Sequence, residues 1–402
     1  MPPPLQVRNL KATTKKLLLC RGAVRKGLRG KTKHINQTQK MRIACFHLFN
    51  DYSGSPKVLK TVVNGLIAKG HCVDLITSRG GVLDELKGQE NLCMRQYNYK
   101  FSRNVCIRTM RYAWVQLQVF FIALGYIFKK DTVIYINTIL PVGAALGGRL
   151  TGKRVIYHYH ENAKAKSTAY RILAKIMQLI ASDVICVSAY QRKFIRRKKR
   201  VHIIPNALQE NFTGRIIPDC ENAFAQKRVL MLGSLKEYKG TDEFIAIAKE
   251  LPEFYFELVL NENEENIAAY WKTKDLTIPQ NLTVYPRQED VVPFYNKASL
   301  VLNLSDRHRF IETFGLTALE AMTAGLPVIV PTVGGIAEMV EDGMNGYRID
   351  VQDREKIKET IKDILTDKEL FISLSNNAQK SSKRYSRECM IEQIGKILEK
   401  RP

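Results

Sequence analysis

From Met41 onward the chain runs twice through one order: a short apolar run that reads as a buried strand, a turn, a helical segment, then another apolar run. Strands that alternate with helices are joined by crossovers, and crossovers build parallel sheets covered on both faces. The first pass holds the strands Ile43 to Leu48, Cys72 to Thr77, Thr132 to Asn137, Val155 to Tyr159, Val184 to Val187 and His202 to Pro205, with a helix Val58 to Lys69 stopped by Gly70. A polar connection, Glu210 to Lys227, shows neither a strand nor a helix period. The second pass holds Val229 to Gly233, Tyr255 to Leu260, Leu282 to Tyr285, Leu300 to Leu304, Pro327 to Val330 and Gly346 to Ile349, and the chain closes on a helix, Arg387 to Lys400. This pattern predicts an α/β protein with two Rossmann-like doubly wound domains facing each other across a cleft, residues 41–215 and 216–386. Residues 1–40 read as a basic flexible extension and 387–402 as a helix able to pack back on the first domain. At 402 residues the chain suffices for two ordinary cores. Ligands of such folds bind at the C-terminal ends of the strands, which here means in the cleft.

The sharpest chemistry lies between Arg309 and Ile329, a run that reads as loop, glycine, helix, glycine C-cap and a strand opened by Pro327. The helix start at Gly315, Leu316 and Thr317 leaves backbone N–H groups without partners at a positive dipole end, a ready anion site. Gly315 lets a phosphate come close. Glu312 stands just outside the helix and Glu320 within it, so two carboxylates can reach opposite ends of one extended ligand.

This run, Glu312-Thr313-Phe314-Gly315-Leu316 through Glu320-Ala321-Met322, resembles the family-4 retaining glycosyltransferases, the group 1 type, in which two glutamates separated by seven residues bracket Phe-Gly-Leu. Pro331 to Glu338, Asp342-Gly343 and Asn345-Gly346-Tyr347 are similar to the family's usual sequel, with Gly334 and Gly335 shaping a turn near the donor. The resemblance implies a GT-B fold and a metal-independent transfer of a hexose-type sugar from a nucleotide-diphosphate sugar, with no cofactor. It implies that Glu312 binds donor-sugar hydroxyls, that Glu320 binds the ribose, and that Phe314, Gly315, Leu316 and Thr317 belong to the donor site. Residues 41–215 would then bind the acceptor and 216–386 the donor.

Leu232 to Gly240 resembles the family's diphosphate clamp: Lys239 and Gly240 match, while Ser234 stands where an arginine is usual. A diphosphate of charge about −2 facing a helix end of about +0.5 and one lysine keeps roughly half a charge unmet. A second cation is therefore expected, with Lys236 nearest and Arg307 or Arg309 as alternatives. Tyr157 to Asn162 resembles the strand that ends in an active-site histidine, here His160 with Glu161 beside it. Strand alternation puts His158 on the same face. Gly54, in Tyr52-Ser53-Gly54-Ser55-Pro56, resembles the glycine-bearing acceptor loop, whose second glycine is here Ser55.

Charge is unevenly spread. Of the net +24, residues 1–40 hold 11 Lys/Arg and no acid, residues 41–215 hold 28 against 9, and the remainder is net acidic. Seven cations fall between Arg192 and Arg200, and the basic stretch Arg103 to Arg111 leads into Trp114 to Phe128, whose aromatic face suits an interfacial helix. The expected partners are a nucleotide-sugar donor, a glycan or lipid-linked acceptor, and an anionic membrane surface met by the basic N-terminal half, with no nucleic acid. The apolar run Leu17 to Leu19 is too short for a signal peptide, and the eight scattered cysteines show no metal or redox spacing, so a cytoplasmic, membrane-peripheral place is expected. Two other readings stay open on sequence: a GT-B sugar phosphorylase or sugar-nucleotide epimerase, and a basic nucleic-acid-binding protein.

Overall fold

The structure, a computed structural model, describes residues 40–400 except 101, 103 and 164–166. Almost all of the basic N-terminal extension lies outside the described residues, as does Arg103. Two parallel sheets account for the strands. The first has seven: β1 (Arg42–Phe46), β2 (Cys72–Ser78), β3 (Leu92–Tyr97), β4 (Thr132–Asn137), β5 (Arg154–Tyr159), β6 (Asp183–Cys186) and β7 (Val201–Ile203), in the order β3-β2-β1-β4-β5-β6-β7. The second has six: β8 (Arg228–Gly233), β9 (Tyr255–Leu260), β10 (Leu282–Tyr285), β11 (Leu300–Leu302), β12 (Val328–Val330) and β13 (Gly346–Arg348), in the order β10-β9-β8-β11-β12-β13. Both orders reverse direction beside the first strand of their sheet, the switch point at which doubly wound folds open a crevice.

Three features differ from the sequence reading. β3 was not expected: it is an edge strand whose residues alternate between half-buried and exposed, so no continuous apolar run marks it. The Gly54–Ala68 helix begins four residues before Val58, because Pro56 tolerates the first turn of a helix. The Glu210 to Lys227 connection contains two short helices, Glu210–Thr213 and Cys220–Gln226, the latter capped by Asp219, whose side chain accepts from Asn222 N at 3.0 Å.

Apolar residues cover both faces of the first sheet, and a third cluster fills the second domain. Ala207 belongs to the core of the first and Leu208 to that of the second, so the chain changes domains ahead of residue 215. The Arg387–Leu398 helix packs on the first domain: Met390, Ile391, Ile394, Ile397 and Leu398 lie in one cluster with Ile43, Leu59 and Leu66. Each such burial is worth about 1.5–3 kcal/mol. The helices meet at Gly65, where a Cβ would lie 2.5 Å from Ile391. Arg154 closes the far end, donating to the carbonyls of Ile397 and Leu398 at 2.8 and 2.9 Å, a cation against a helix C-terminus.

The Val105–Leu124 helix is buried along one stripe only. Val115, Val119 and Ala123 face the core, while Met110, Trp114, Leu117 and Phe121 are each more than half exposed. Its inner side presses on the Val142–Leu150 helix through Gly143 and Gly147, where a Cβ would come within 2.1 Å of Gln116 O and 2.6 Å of Phe120 O. No helix among the described residues is long and apolar enough to cross a membrane.

Candidate active site

A cleft of about 1160 Å³ runs between the C-terminal ends of the two sheets, and the expected site residues His160, Glu312, Gly54, Lys236, Lys239, Phe314, Gly315, Leu316, Thr317 and Glu320 all line it. The Leu316–Thr323 helix opens at Gly315, which holds φ +91°, a left-handed backbone in which a Cβ would also sit 2.5 Å from Ile336. Only glycine fits there. Opposite, the Gly54–Ala68 helix starts at the cleft, and a Cβ on Gly54 would lie 3.1 Å from the Leu316 Cδ1, so the acceptor-side loop and the donor-side helix touch.

Glu312 is held from three sides. Lys239 Nζ donates to its Oε1, Ser305 Oγ donates to the same oxygen at 3.3 Å, and Gly335 N donates to its carbonyl at 2.8 Å. Gly334 and Gly335 carry that loop: their added Cβ atoms would stand 2.5 Å from Glu312 O and 1.8 Å from Thr313 O. Lys239 ends the Glu237–Lys239 turn over the Phe310 ring, 4.4 Å from its centroid, with Tyr238 stacked on Phe310. Gly240 follows at φ +76°, and Leu304 O, 2.3 Å from where a Cβ would stand, also leaves no room for a side chain.

Glu320 is 9% exposed and accepts from Tyr295 OH at 2.6 Å, which orients the carboxylate along the cleft wall. Of the three expected second cations, Arg307 pairs with Asp350 at 2.6 Å and Arg309 with Glu237 at 2.5 Å. Lys236 is exposed and makes no ion pair among the described residues. Phe314 borders the cleft while most of its ring is buried, edge to face with Tyr385.

His160 stands at the end of β5, its Nε2 donating to Asn137 Oδ1 at 2.9 Å. Asn137 Nδ2 in turn donates to His47 Nδ1 at 3.0 Å and to Ser55 O at 3.2 Å, which fixes the tautomers of both rings. His158 shares the face of His160, with ring centroids 4.2 Å apart, but is wholly buried and bonded to Tyr135 OH at 2.7 Å. Burial holds all three imidazoles below their ordinary pKa, His47 at about 4 and His158 at about 3, and His160 well down with His158 and His47 adding repulsion. His160 is therefore a neutral hydrogen-bonding group at pH 7. Glu161 serves structure, its carboxylate accepting from Ile139 N.

Two contacts fasten the domains beside the site. Thr313 Oγ1 donates to His160 O at 2.7 Å, and Glu338 accepts from the backbone N–H groups of Ala189, at 2.9 Å, and Tyr190. Sequence reasoning missed Ser305, Tyr295, Asn137 and His47; the last three lie more than 20 residues from their partners, and Ser305 meets Glu312 only through the fold of the loop they share. Among the described residues no group of three or more His, Cys, Asp or Glu side chains is arranged to hold a metal.

Two Rossmann-like domains facing across a cleft, with a glycine-opened helix on one side and a histidine-ended strand on the other, define the GT-B class of fold. Residues 218–381 match the family model of glycosyl transferases group 1, and residues 52–211 match glycosyltransferase family 4. The chain belongs to the group 1 glycosyltransferases. An uncharacterized glycosyltransferase of Haemophilus influenzae is 23% identical over 86% of this chain and 96% of its own. The crystal structure of Anabaena HepE with UDP and glucose superposes with a TM-score of 0.70 at 19% identity, over 89% of this chain and 98% of that one. WaaG, a glycosyltransferase involved in lipopolysaccharide biosynthesis, superposes at 0.65 with 20% identity, over 89% and 99%.

Proposed function

We propose that this glycosyltransferase moves a hexose from a nucleotide-diphosphate sugar to a saccharide or lipid-linked acceptor at an anionic membrane face, with retention at the anomeric carbon and without a metal. The observation that carries the reading is the placing of Glu312, Lys239 and the Gly315 helix end together on one cleft wall, with Glu320 about one turn into that helix. The diphosphate meets the helix end, Lys239 and the unpaired Lys236; Glu320 takes the ribose hydroxyls; Glu312 takes the sugar hydroxyls. The bond from the anomeric carbon to the diphosphate oxygen breaks, a bond to the acceptor oxygen forms on the same face, and the acceptor proton passes to the departing diphosphate. Fixed donors stabilise the charge that develops on the leaving group. His160, neutral, offers hydrogen bonds without adding charge.

The UDP and glucose bound by HepE support UDP-glucose as the first donor to test, and the lipopolysaccharide role of WaaG supports a surface-glycan acceptor. The membrane part rests on the exposed stripe Met110, Trp114, Leu117 and Phe121 beside Leu146 and Leu150, on two helices packed together and bordered by Arg111, Lys129, Lys130 and Arg149. The deciding experiment is thermal-shift profiling against UDP-, GDP- and ADP-sugars, followed by nucleotide release with acceptor glycans. A chain stabilised by none of the three has another function.

A further inference from the structure

A second cavity, of about 410 Å³, opens beside the reaction cleft, and Phe49, Asp51, Tyr52, Asn261 and Arg287 belong to the walls of both. Its remaining lining brings in Arg79, just past the end of β2, with Tyr99 and Lys100, which follow β3. Three cations thus meet in one small space. Arg79, Lys100 and Arg287 are exposed, and none forms an ion pair among the described residues. Asp51 is the single acid of the lining, and its carboxylate is engaged by Ser53, accepting from N at 3.0 Å and Oγ at 2.5 Å. Across a cavity this size, a Debye length of about 8 Å at physiological salt leaves like charges only partly screened. An anion entering the pocket relieves that repulsion.

Aromatic rings form the rest of the wall. Phe49, 37% exposed at the end of the β1 loop, meets Tyr99 edge to face with centroids 6.1 Å apart. Tyr52 carries the Arg287 guanidinium 5.0 Å above its ring, a contact between the two domains. Exposed aromatic faces bordered by hydrogen-bonding groups suit the apolar face of a sugar ring, and an arginine held flat by an aromatic presents its fork to a carboxylate or phosphate. The pocket lies next to Gly54 and on the first-domain side of the donor site, where an acceptor must sit to receive the sugar.

We propose that this pocket is an acceptor subsite and that it selects an acceptor sugar bearing a phosphate or a carboxylate, packed against the Phe49 and Tyr99 pair and held by Arg79, Lys100 and Arg287. The proposal rests on the transferase reading given above and adds the acceptor's charge class to it. Because Arg287 and Asn261 come from the second domain, the subsite is complete only when the domains face each other as they do here.

The test uses the full chain and saturation-transfer NMR with glucose 6-phosphate, glucuronate and glucose as probes, each with UDP present. The expected result is binding of one or both charged sugars at least tenfold tighter than glucose, weakened by added salt. Arg79→Ser and Lys100→Ser together, at exposed positions where folding is checked by the melting temperature, should remove that preference. Glucose binding as tightly as the charged sugars, or charged sugars binding the double variant as tightly as the wild type, would overturn the proposal. Preference for phosphate over carboxylate separates the two acceptor chemistries. The nucleotide thermal shift of the same samples keeps the two failures apart: a shift without anionic preference sinks the subsite alone, and charged-sugar binding without any nucleotide shift sinks the transferase reading and with it the pocket's role as an acceptor subsite.

Discussion

Lys239 donates to a carboxylate oxygen of Glu312, so a cation and an anion of the donor site neutralise each other within the cleft. A donor needs both of them separately, the lysine for phosphate and the glutamate for hydroxyls. Binding therefore exchanges one internal charge-assisted hydrogen bond for several external ones, and the pair keeps each partner solvated by the other in the meantime.

Glu312→Ala should lose about 2–4 kcal/mol of transition-state stabilisation, roughly 30- to 1,000-fold in kcat/KM. Lys239→Ala should also lose activity, and because the two side chains are in contact the double variant should fall short of the product of the single effects. Steady-state kinetics of the four proteins checks this. A Glu312→Ala enzyme within threefold of wild type removes Glu312 from the donor site.

Lys239, Lys236 and the Gly315 helix end are proposed to do the work of a divalent ion. Turnover should then survive excess EDTA. Activity lost to the chelator and restored by magnesium or manganese would show that these cations do not suffice.

Gly335→Ala should cost more stability than Gly343→Ala. At Gly343 the backbone is left-handed (φ +72°) but the space is open, so the cost is the conformational one of about 1–2 kcal/mol. At Gly335 a Cβ would stand 1.8 Å from Thr313 O and must push the Glu312 loop aside, an overpacking cost of about 1–3 kcal/mol. It should also weaken nucleotide-sugar binding, which Gly343→Ala should leave alone. Urea titrations and donor binding of the two variants decide it, and equal effects would mean that the loop moves freely.

Acid should destabilise the first domain while its carboxylates are still charged. His47 and His158, depressed to about 4 and 3, take up protons near pH 6.5 once unfolded but not while folded. The unfolded state then binds more protons, so stability falls as pH drops below about 6.5, by about 2 kcal/mol for each histidine at pH 5. Glu338, raised by burial, works in the opposite sense and offsets part of the loss. Urea midpoints at pH 7.5 and pH 5 measure the difference; equal midpoints would mean that these histidines are solvated.

A chain starting at Met41 should sediment with anionic liposomes at low salt and be released at 1 M salt, where the Debye length is about 3 Å. Trp114→Ser with Phe121→Ser should weaken sedimentation even at low salt, because both rings are exposed on the proposed contact face. Full retention in the supernatant with anionic lipid would end the membrane assignment and leave the transferase intact.

The donor half was legible because its chemistry is contiguous: Glu312, Gly315 and Glu320 lie within three helical turns, and one stretch of sequence spells loop, cap and helix. What supports them was not legible, since Tyr295 reaches Glu320 from a short helix, Ser305 reaches Glu312 from the other end of one loop and Asn137 reaches His160 from a neighbouring strand, and no local period records such meetings. β3 escaped for a different reason. An edge strand with Cys93 and Arg95 facing solvent has no need of the unbroken apolar run by which the central strands announce themselves. The Trp114 helix was half legible: its apolar content is plain in sequence, but only Gly143 and Gly147, on another helix, decide which side is covered.

The Arg387–Leu398 helix has a consequence for how the protein is made. Five of its side chains complete the core of the domain synthesised first, although the whole second domain is translated in between. While the ribosome is producing residues 216–386, the groove around Leu59, Gly65 and Leu66 stands uncovered, and the nascent first domain holds an apolar face exposed to chaperones and to other chains. Its folding can finish only when the final helix emerges, so premature termination near Tyr385 would yield an aggregation-prone first domain attached to a well-packed second one.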